Sequence, residues 1–273
     1  MKRPLATVAV NAMLWIAASL AIFPLVWMVS VSLMPAGAAS TLPPPLWPKA
    51  PTFEHYRQLL AQGSIGRAFV NSLGLAIAAT LISTSFNALA GYAFAKLHFA
   101  GRERLFALLI AALVIPGQVA MLPLFLMLKG MGLVNTYAGV LVPGLASIFG
   151  IFLVRQYARG IPDELIEAAR IDGAGEFRTF FSIILPLLKP VLVTLAVFAF
   201  LGSWNDFMWP LIVLTDGELH TLPVALASLS REHVQDSELM MAGAVITVLP
   251  VLLLFLTLQR YYMQGLLMCG VKA

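Results

Sequence analysis

Long apolar windows without a charge alternate with short polar segments along most of this chain. The windows run from after Arg3 to before Lys49, over 68–95, 105–128 and 130–154, from 190 through Asp206 into the following residues, and over 239–259. Each can supply about 30 Å of helix, the thickness of a hydrocarbon core, where a backbone must satisfy its own hydrogen bonds. The pattern predicts an all-α membrane protein with six spans, about 8–33, 69–95, 105–128, 137–157, 190–213 and 241–262, with residues 1–273 forming one transmembrane domain. The first window opens with Lys2 and Arg3 and ends near Ala36-Gly37-Ala38-Ala39-Ser40, like a secretory leader. Its apolar run from Leu5 to Met34 is too long for a leader core and reads as a retained span.

Within the windows, polar and helix-breaking residues qualify the picture. In the second span Thr80, Thr84, Asn87 and Gly91 form a small and polar stripe suited to helix packing or, alternatively, to a transport pathway. The third contains Pro116-Gly117-Gln118 and Pro123, which predict a kink or break. Gln118 beside it is a candidate for the pathway or for interhelical bonding. The fifth carries Trp204-Asn205-Asp206-Phe207-Met208-Trp209-Pro210. Two readings stay open there: an interfacial aromatic belt, or a pocket in which Trp204 and Trp209 stack on a ligand while Asn205 and Asp206 accept hydroxyl protons. Outside the spans, Thr52 to Leu60 reads as an amphipathic surface helix capped by Thr52, with Phe53, Tyr56, Leu59 and Leu60 on one face. The segment from Thr215 to Glu238 is long enough to meet an external partner, and His220 and His233 within it read as solvated residues.

Composition supports the membrane reading: 60% of residues are hydrophobic, 11% are charged and mean hydropathy is +0.90. The net charge of +4 does not point to nucleic acid, because the positive-inside rule explains the basic residues. Six spans put 12 of the 17 Lys and Arg residues on one side and 5 on the other. That asymmetry predicts cytoplasmic termini and a cytoplasmic loop over 158–189. The single cysteine, Cys269, allows no internal disulfide.

The 158–189 loop holds the densest charge in the chain. Pro162 suits a first helical turn, Asp163 and Glu164 its positive end and Arg170 its negative end. Leu165, Ala168, Ala169 and Asp172 share one side of such a helix, and Gly173 stands where a left-handed terminal residue is wanted. A second short helix with Phe177, Phe180 and Phe181 would run to Pro186. The whole reads as a docking knob. No Gly-x4-Gly-Lys-Ser/Thr phosphate loop occurs in the chain.

Glu167-Ala168-Ala169, Gly173, Ile183 and Leu185-Pro186 resemble the cytoplasmic signature of permease subunits of binding-protein-dependent ABC importers. Trp204-Asn205-Asp206 with Pro210, and Gln264-Gly265 through Gly270-Val271-Lys272, resemble the carbohydrate branch, specifically the smaller six-helix subunit of maltose-type importers. The resemblance covers nearly the whole chain. It departs at Gly175, where a side-chain cap is common, and at Leu267-Met268-Cys269, where small residues are usual.

The resemblance implies half of an ATP-driven sugar pathway in a bacterial inner membrane. The implied partners are a second permease subunit, two ATPase subunits that hold ATP and Mg, and an external solute-binding protein. This chain would bind no cofactor or metal and catalyse nothing. Asp163, Glu164, Leu165, Glu167, Ala168, Ala169, Arg170, Asp172 and Gly173 would couple to an ATPase. Asn87, Gln118, Trp204, Asn205, Asp206 and Trp209 are the pathway candidates. The competing class is an ion- or proton-coupled secondary transporter, which would want ionisable groups near mid-membrane, where only Asp206 comes close.

Overall fold

The computed structural model describes residues 4–61, 63–232 and 236–270, and every described element is helical. Among the described residues, four helices are long and apolar enough to cross a membrane, over 7–32, 64–96, 176–204 and 237–257. Two further spans result if each of two bent helix pairs is counted as one. By its contacts the chain divides into two compact units, one built from 1–67 and 222–250, the other from 68–221 and 251–273.

In the first unit, α1 (Pro4–Ser32) keeps its apolar side chains outward over 7–26. Packing starts at its end. Val31 and Met34 are buried, Ser30 Oγ donates to Leu46 O at 2.6 Å, and Ser32 Oγ lies 2.7 Å from Tyr56 Oη. Thr52 Oγ1 accepts the Glu54 N–H at the start of α2 (Glu54–Ala61), as its capping role predicts. The buried face of α2 differs from the expected one. It presents His55 and Leu59, while Phe53 and Leu60 stay exposed. His55 goes inward because its Nε2 donates to Met34 O at 2.9 Å, a pairing that periodicity cannot register. The unit also contains α12 (Leu222–Glu232) and the first turns of α13 (Ser237–Gly270), where Gly243 lies against Leu226. His233 falls outside the described residues.

The second unit is organised on α3 (Ser64–Lys96), a helix without internal proline. The third span breaks, as Pro116 predicts, between α4 (Arg102–Ala112) and α5 (Met121–Gly130), which meet at 95°. The fourth was expected as one helix but bends by 42° between α6 (Tyr137–Leu141), with its 3-10 extension to Gly144, and α7 (Ile148–Arg159). Ser147 restarts it, its side chain accepting the Gly150 N–H at 3.2 Å. Then come α8 (Glu164–Ile171) and α9 (Glu176–Thr179), which runs through a π turn at 180–184 into α10 (Leu185–Trp204).

The second short helix and the fifth span are therefore one continuous helix over 176–204, not two elements parted by Pro186. Leu185 N–H bonds back five residues to Phe180 O, and Pro186 then has no N–H to place. A short α11 (Met208–Val213) follows a break at 205–207.

Two apolar clusters hold this unit. One joins Ala88 and Tyr92 of α3, Val154 and Ala158 of α7, Ile166 of α8, Ile184 of the π turn, and Leu188, Val191 and Leu195 of α10. At its centre Gly91 lets α3 and α7 touch, since a Cβ there would lie 2.5 Å from Val154 Cβ. The other cluster joins Leu128, Trp209, Val213 and Leu214.

Candidate functional site

Within the segment 158–179, α8 is a short helix that starts at Asp163 and is closed by a turn at Gly173. Asp163 is the N-cap, its carbonyl accepting from Ile166 and Glu167 at 2.9 and 3.0 Å. Glu164 and Glu167 occupy the first turn and Arg170 the last, each complementing the helix dipole. At the far end Gly173 adopts φ +77, and the chain closes with two reversed bonds: Gly173 N–H to Arg170 O at 3.0 Å and Ala174 N–H to Ala169 O at 2.9 Å. This is the glycine-terminated turn expected at Gly173.

The face of α8 divides differently from the sequence reading. Ala169 turns inward with Ile166, each 5% exposed, whereas Leu165, Ala168, Ile171 and Asp172 point out. Ile166 joins the apolar cluster and fixes that rotation. Outward lie Leu165 at 43%, Ile171 at 86% and, beyond the turn, Phe177 at 79% exposure. Gly175 leaves α9 without a side-chain cap, as its lack of a side chain requires.

Charged contacts fasten both ends of α8. Lys96 Nζ, almost wholly buried, donates to Ile161 O at 2.5 Å and to Asp163 Oδ1 at 2.6 Å. The hydrogen bond from Lys96, reinforced by its charge, holds the Asp163 carboxyl below its usual value. Arg170 donates to Glu176 Oε1 through Nη2 at 2.7 Å and Nε at 3.1 Å, and this bond raises the guanidinium further. Tyr92 Oη donates to Glu176 Oε2 at 3.4 Å. Nearby, the buried Arg155 donates to both Glu103 carboxylate oxygens and lies 3.9 Å over the Phe106 ring.

The other candidates do not gather into one cluster. Asn87 is buried, its Oδ1 accepting the Ser147 N–H at 2.9 Å and its Nδ2 donating to Ser83 Oγ at 3.2 Å, so it binds α3 to the start of α7. Gln118 is exposed in the 3-10 turn before α5. Trp204 is fully buried, edge-on to Phe69 and stacked on Phe200. Trp209 is buried and donates from Nε1 to Gly139 O at 3.2 Å. Neither ring lies at the surface of the chain as a belt or an open wall would, because each fills space between helices. Asn205 is exposed and donates to Leu201 O at 2.9 Å. Asp206 sits half-buried in the break, its Oδ1 accepting the Trp209 N–H at 3.3 Å.

Residues 87–267 match the family model described as the binding-protein-dependent transport system inner membrane component. The chain belongs to this family. Among relatives of this permease, the arabinooligosaccharides transport system permease protein of Halalkalibacterium halodurans is 42% identical over 75% of this chain and 73% of that protein. The lactose transport system permease protein of Rhizobium radiobacter is 32% identical over 98% of this chain and 97% of that protein. A crystal structure of a bacterial ABC transporter involved in the import of the acidic polysaccharide alginate contains a chain of the same fold. The two superpose with a TM-score of 0.83 at 22% identity, covering 94% of this chain and 96% of that one. The family is one of permease subunits, which move solutes and are not enzymes.

The matched region of the permease takes in α8 and every contact that fastens it. Sequence reasoning missed Tyr92 and Lys96 as site residues. Their spacing of four, one turn apart at the end of a long apolar helix, was the available signal.

Proposed function

We propose that this permease forms half of the translocation pathway of an ATP-driven sugar importer and couples to a separate ATPase through α8. The observation that carries the reading is α8 itself: eight residues, held at the start by Asp163 to Lys96 and closed by the Gly173 turn, offering Leu165, Ala168 and Ile171 outward beside acidic Glu164 and Glu167. A short helix with an apolar strip and charged margins suits a cleft in another protein. Two ATPase subunits would hold ATP and Mg, leaving this chain without a cofactor. A second permease subunit and an external solute-binding protein would complete the assembly. The Lys and Arg asymmetry supports cytoplasmic termini and a cytoplasmic α8.

Sugar as the cargo is supported by the two relatives named for arabinooligosaccharides and lactose. Asn205 and Asp206, at the break between α10 and α11, are the polar groups best suited to meet sugar hydroxyls, with Gln118 at the third-span break a further contact. Asn87, Trp204 and Trp209 would shape the pathway from behind.

The test is reconstitution with the companion subunits in proteoliposomes, offering labelled arabinotriose and lactose with the binding protein. Accumulation should require MgATP on the ATPase side. Accumulation by the isolated chain on a proton or sodium gradient would contradict the reading.

A further inference from the structure

We propose that the start of α4 is a binding site for an anionic phospholipid, whose phosphate meets Arg104 and Arg102 while one acyl chain lies along the outward leucines of the same helix. The proposal needs only that the chain spans a bilayer; it depends neither on the cargo nor on the docking of α8.

The turn between α3 and α4 carries positive charge that the chain does not neutralise. Arg102 donates to Glu103 Oε1 from Nε at 3.1 Å and to Leu97 O from Nη1 at 3.0 Å. The same carboxylate also takes Arg155, whose Nη2 lies 3.1 and 2.9 Å from its two oxygens. Arg155 is buried, its Nε donating to Phe94 O at 3.2 Å and its guanidinium lying over the Phe106 ring. Glu103 thus answers the charge of a buried arginine, and Arg102 and Arg104 remain as the excess. Arg104 is exposed, and among the described residues no ion pair engages it. Three arginines against one carboxylate make an anion the complement of this turn.

The surroundings fit a headgroup. His98, Phe99, Gly101, Arg102, Glu103 and Arg104 line an open cleft of about 450 Å³. Aromatic packing braces it: the Phe94 ring lies 5.8 Å from that of Phe99 and 5.5 Å from that of Phe106, which stacks at 6.4 Å on Phe152 of α7. The cleft is therefore shaped before a ligand arrives, which lowers the cost of binding one.

The face below the cleft separates a lipid from a soluble anion. Residues 104, 108 and 111 follow one another along one side of α4 at spacings of four and three, and all are exposed. Leu108 is 67% and the adjoining Leu105 49% exposed, while Phe106 turns inward. Arg104 stands about 6 Å from Leu108 along the axis, so a cation tops an apolar strip by one turn. A soluble phosphate would leave that strip bare, whereas one phospholipid covers both parts.

Bromolipid quenching tests this in nanodiscs holding the purified permease with cysteine-free companion subunits. Bimane is attached at Ala111→Cys, with Cys269 replaced by Ser. At the same low mole fraction in phosphatidylcholine, phosphatidylglycerol with dibrominated chains should quench more than dibrominated phosphatidylcholine. Arg104→Gln should cut that preference about 5-fold, and Arg104→Lys should keep most of it. Unchanged melting of Arg104→Gln separates loss of the site from loss of the fold. Glycerol phosphate at matched ionic strength should leave the preference intact; its disappearance would make the ligand a soluble phosphate and overturn the lipid. Equal quenching by both lipids, or a preference that survives Arg104→Gln, would overturn the site. Quenching by neither lipid would show that protein covers the face, and the proposal would fall.

Discussion

Gly173 closes α8 at φ +77, and nothing lies within 4 Å of where a Cβ would stand. A side chain there meets no neighbour, so its cost comes from the backbone alone. For an L-residue the left-handed conformation costs roughly 1–2 kcal/mol, which shifts the local equilibrium away from the closed turn by about 5–30-fold. Asparagine tolerates this conformation, while a β-branched residue is a true outlier there. The series Gly173→Asn, Gly173→Ala and Gly173→Val should therefore open the turn in that order. Hydrogen exchange reads it directly, because the amides of residues 173 and 174 are protected by Arg170 O and Ala169 O. In Gly173→Ala they should exchange about 5–30-fold faster, with Asn near wild type and Val faster still. In the reconstituted complex the same order should appear as ATP hydrolysed per sugar moved, with assembly retained or weakened. Wild-type exchange in Gly173→Val, or undiminished transport by that variant at normal expression, would refute the reasoning.

Three further outcomes are expected. Trp209→Phe keeps a ring in the second apolar cluster but leaves the Gly139 carbonyl without its donor; melting in detergent should report a loss of about 1–3 kcal/mol, and an unchanged transition would count against the clamp. Asn87→Leu strands the Ser147 N–H at the start of α7 and should destabilise the unit by a similar amount; an unchanged melt with impaired uptake would move Asn87 from packing to the pathway. The Asp163 carboxyl is depressed by its bond to Lys96, so its tether is fully present above the ordinary carboxylate range and is lost as pH falls through the depressed value. Exchange of the α8 amides, corrected for intrinsic rates, should be flat from pH 8 to 5 and rise only below about pH 4; Asp163→Asn should abolish that acid limb, and a limb that survives the substitution would exclude this carboxyl as its source.

Apolar windows and turn chemistry made the helical class, the third-span break and the Gly173 turn legible in the sequence. Such features are local, since each depends on residues within a few positions. The 42° bend of the fourth span was also signalled, by Pro143-Gly144 and Ser147, but an uninterrupted apolar run concealed it. Burial was harder to read. His55 turns inward because of a carbonyl 21 residues away, and Trp204 and Trp209 disappear between helices although tryptophans flanking a polar cluster suggest an interface. The inward turn of Ala169 followed from Ile166 joining a cluster drawn from four helices. The tethers were the least visible, because Lys96 and Asp163 are 67 residues apart and no periodicity registers a pair at that separation.

Docking of α8 is best tested by thiol labelling of Ala168→Cys, in a chain whose Cys269 is Ser, with and without the ATPase subunits. Phe99→Cys, exposed in the turn before α4, serves as the reference. With the ATPase bound, labelling at residue 168 should be strongly suppressed relative to residue 99. Equal labelling at residue 168 with and without a copurifying ATPase would show that the ATPase binds elsewhere, and α8 would lose its role.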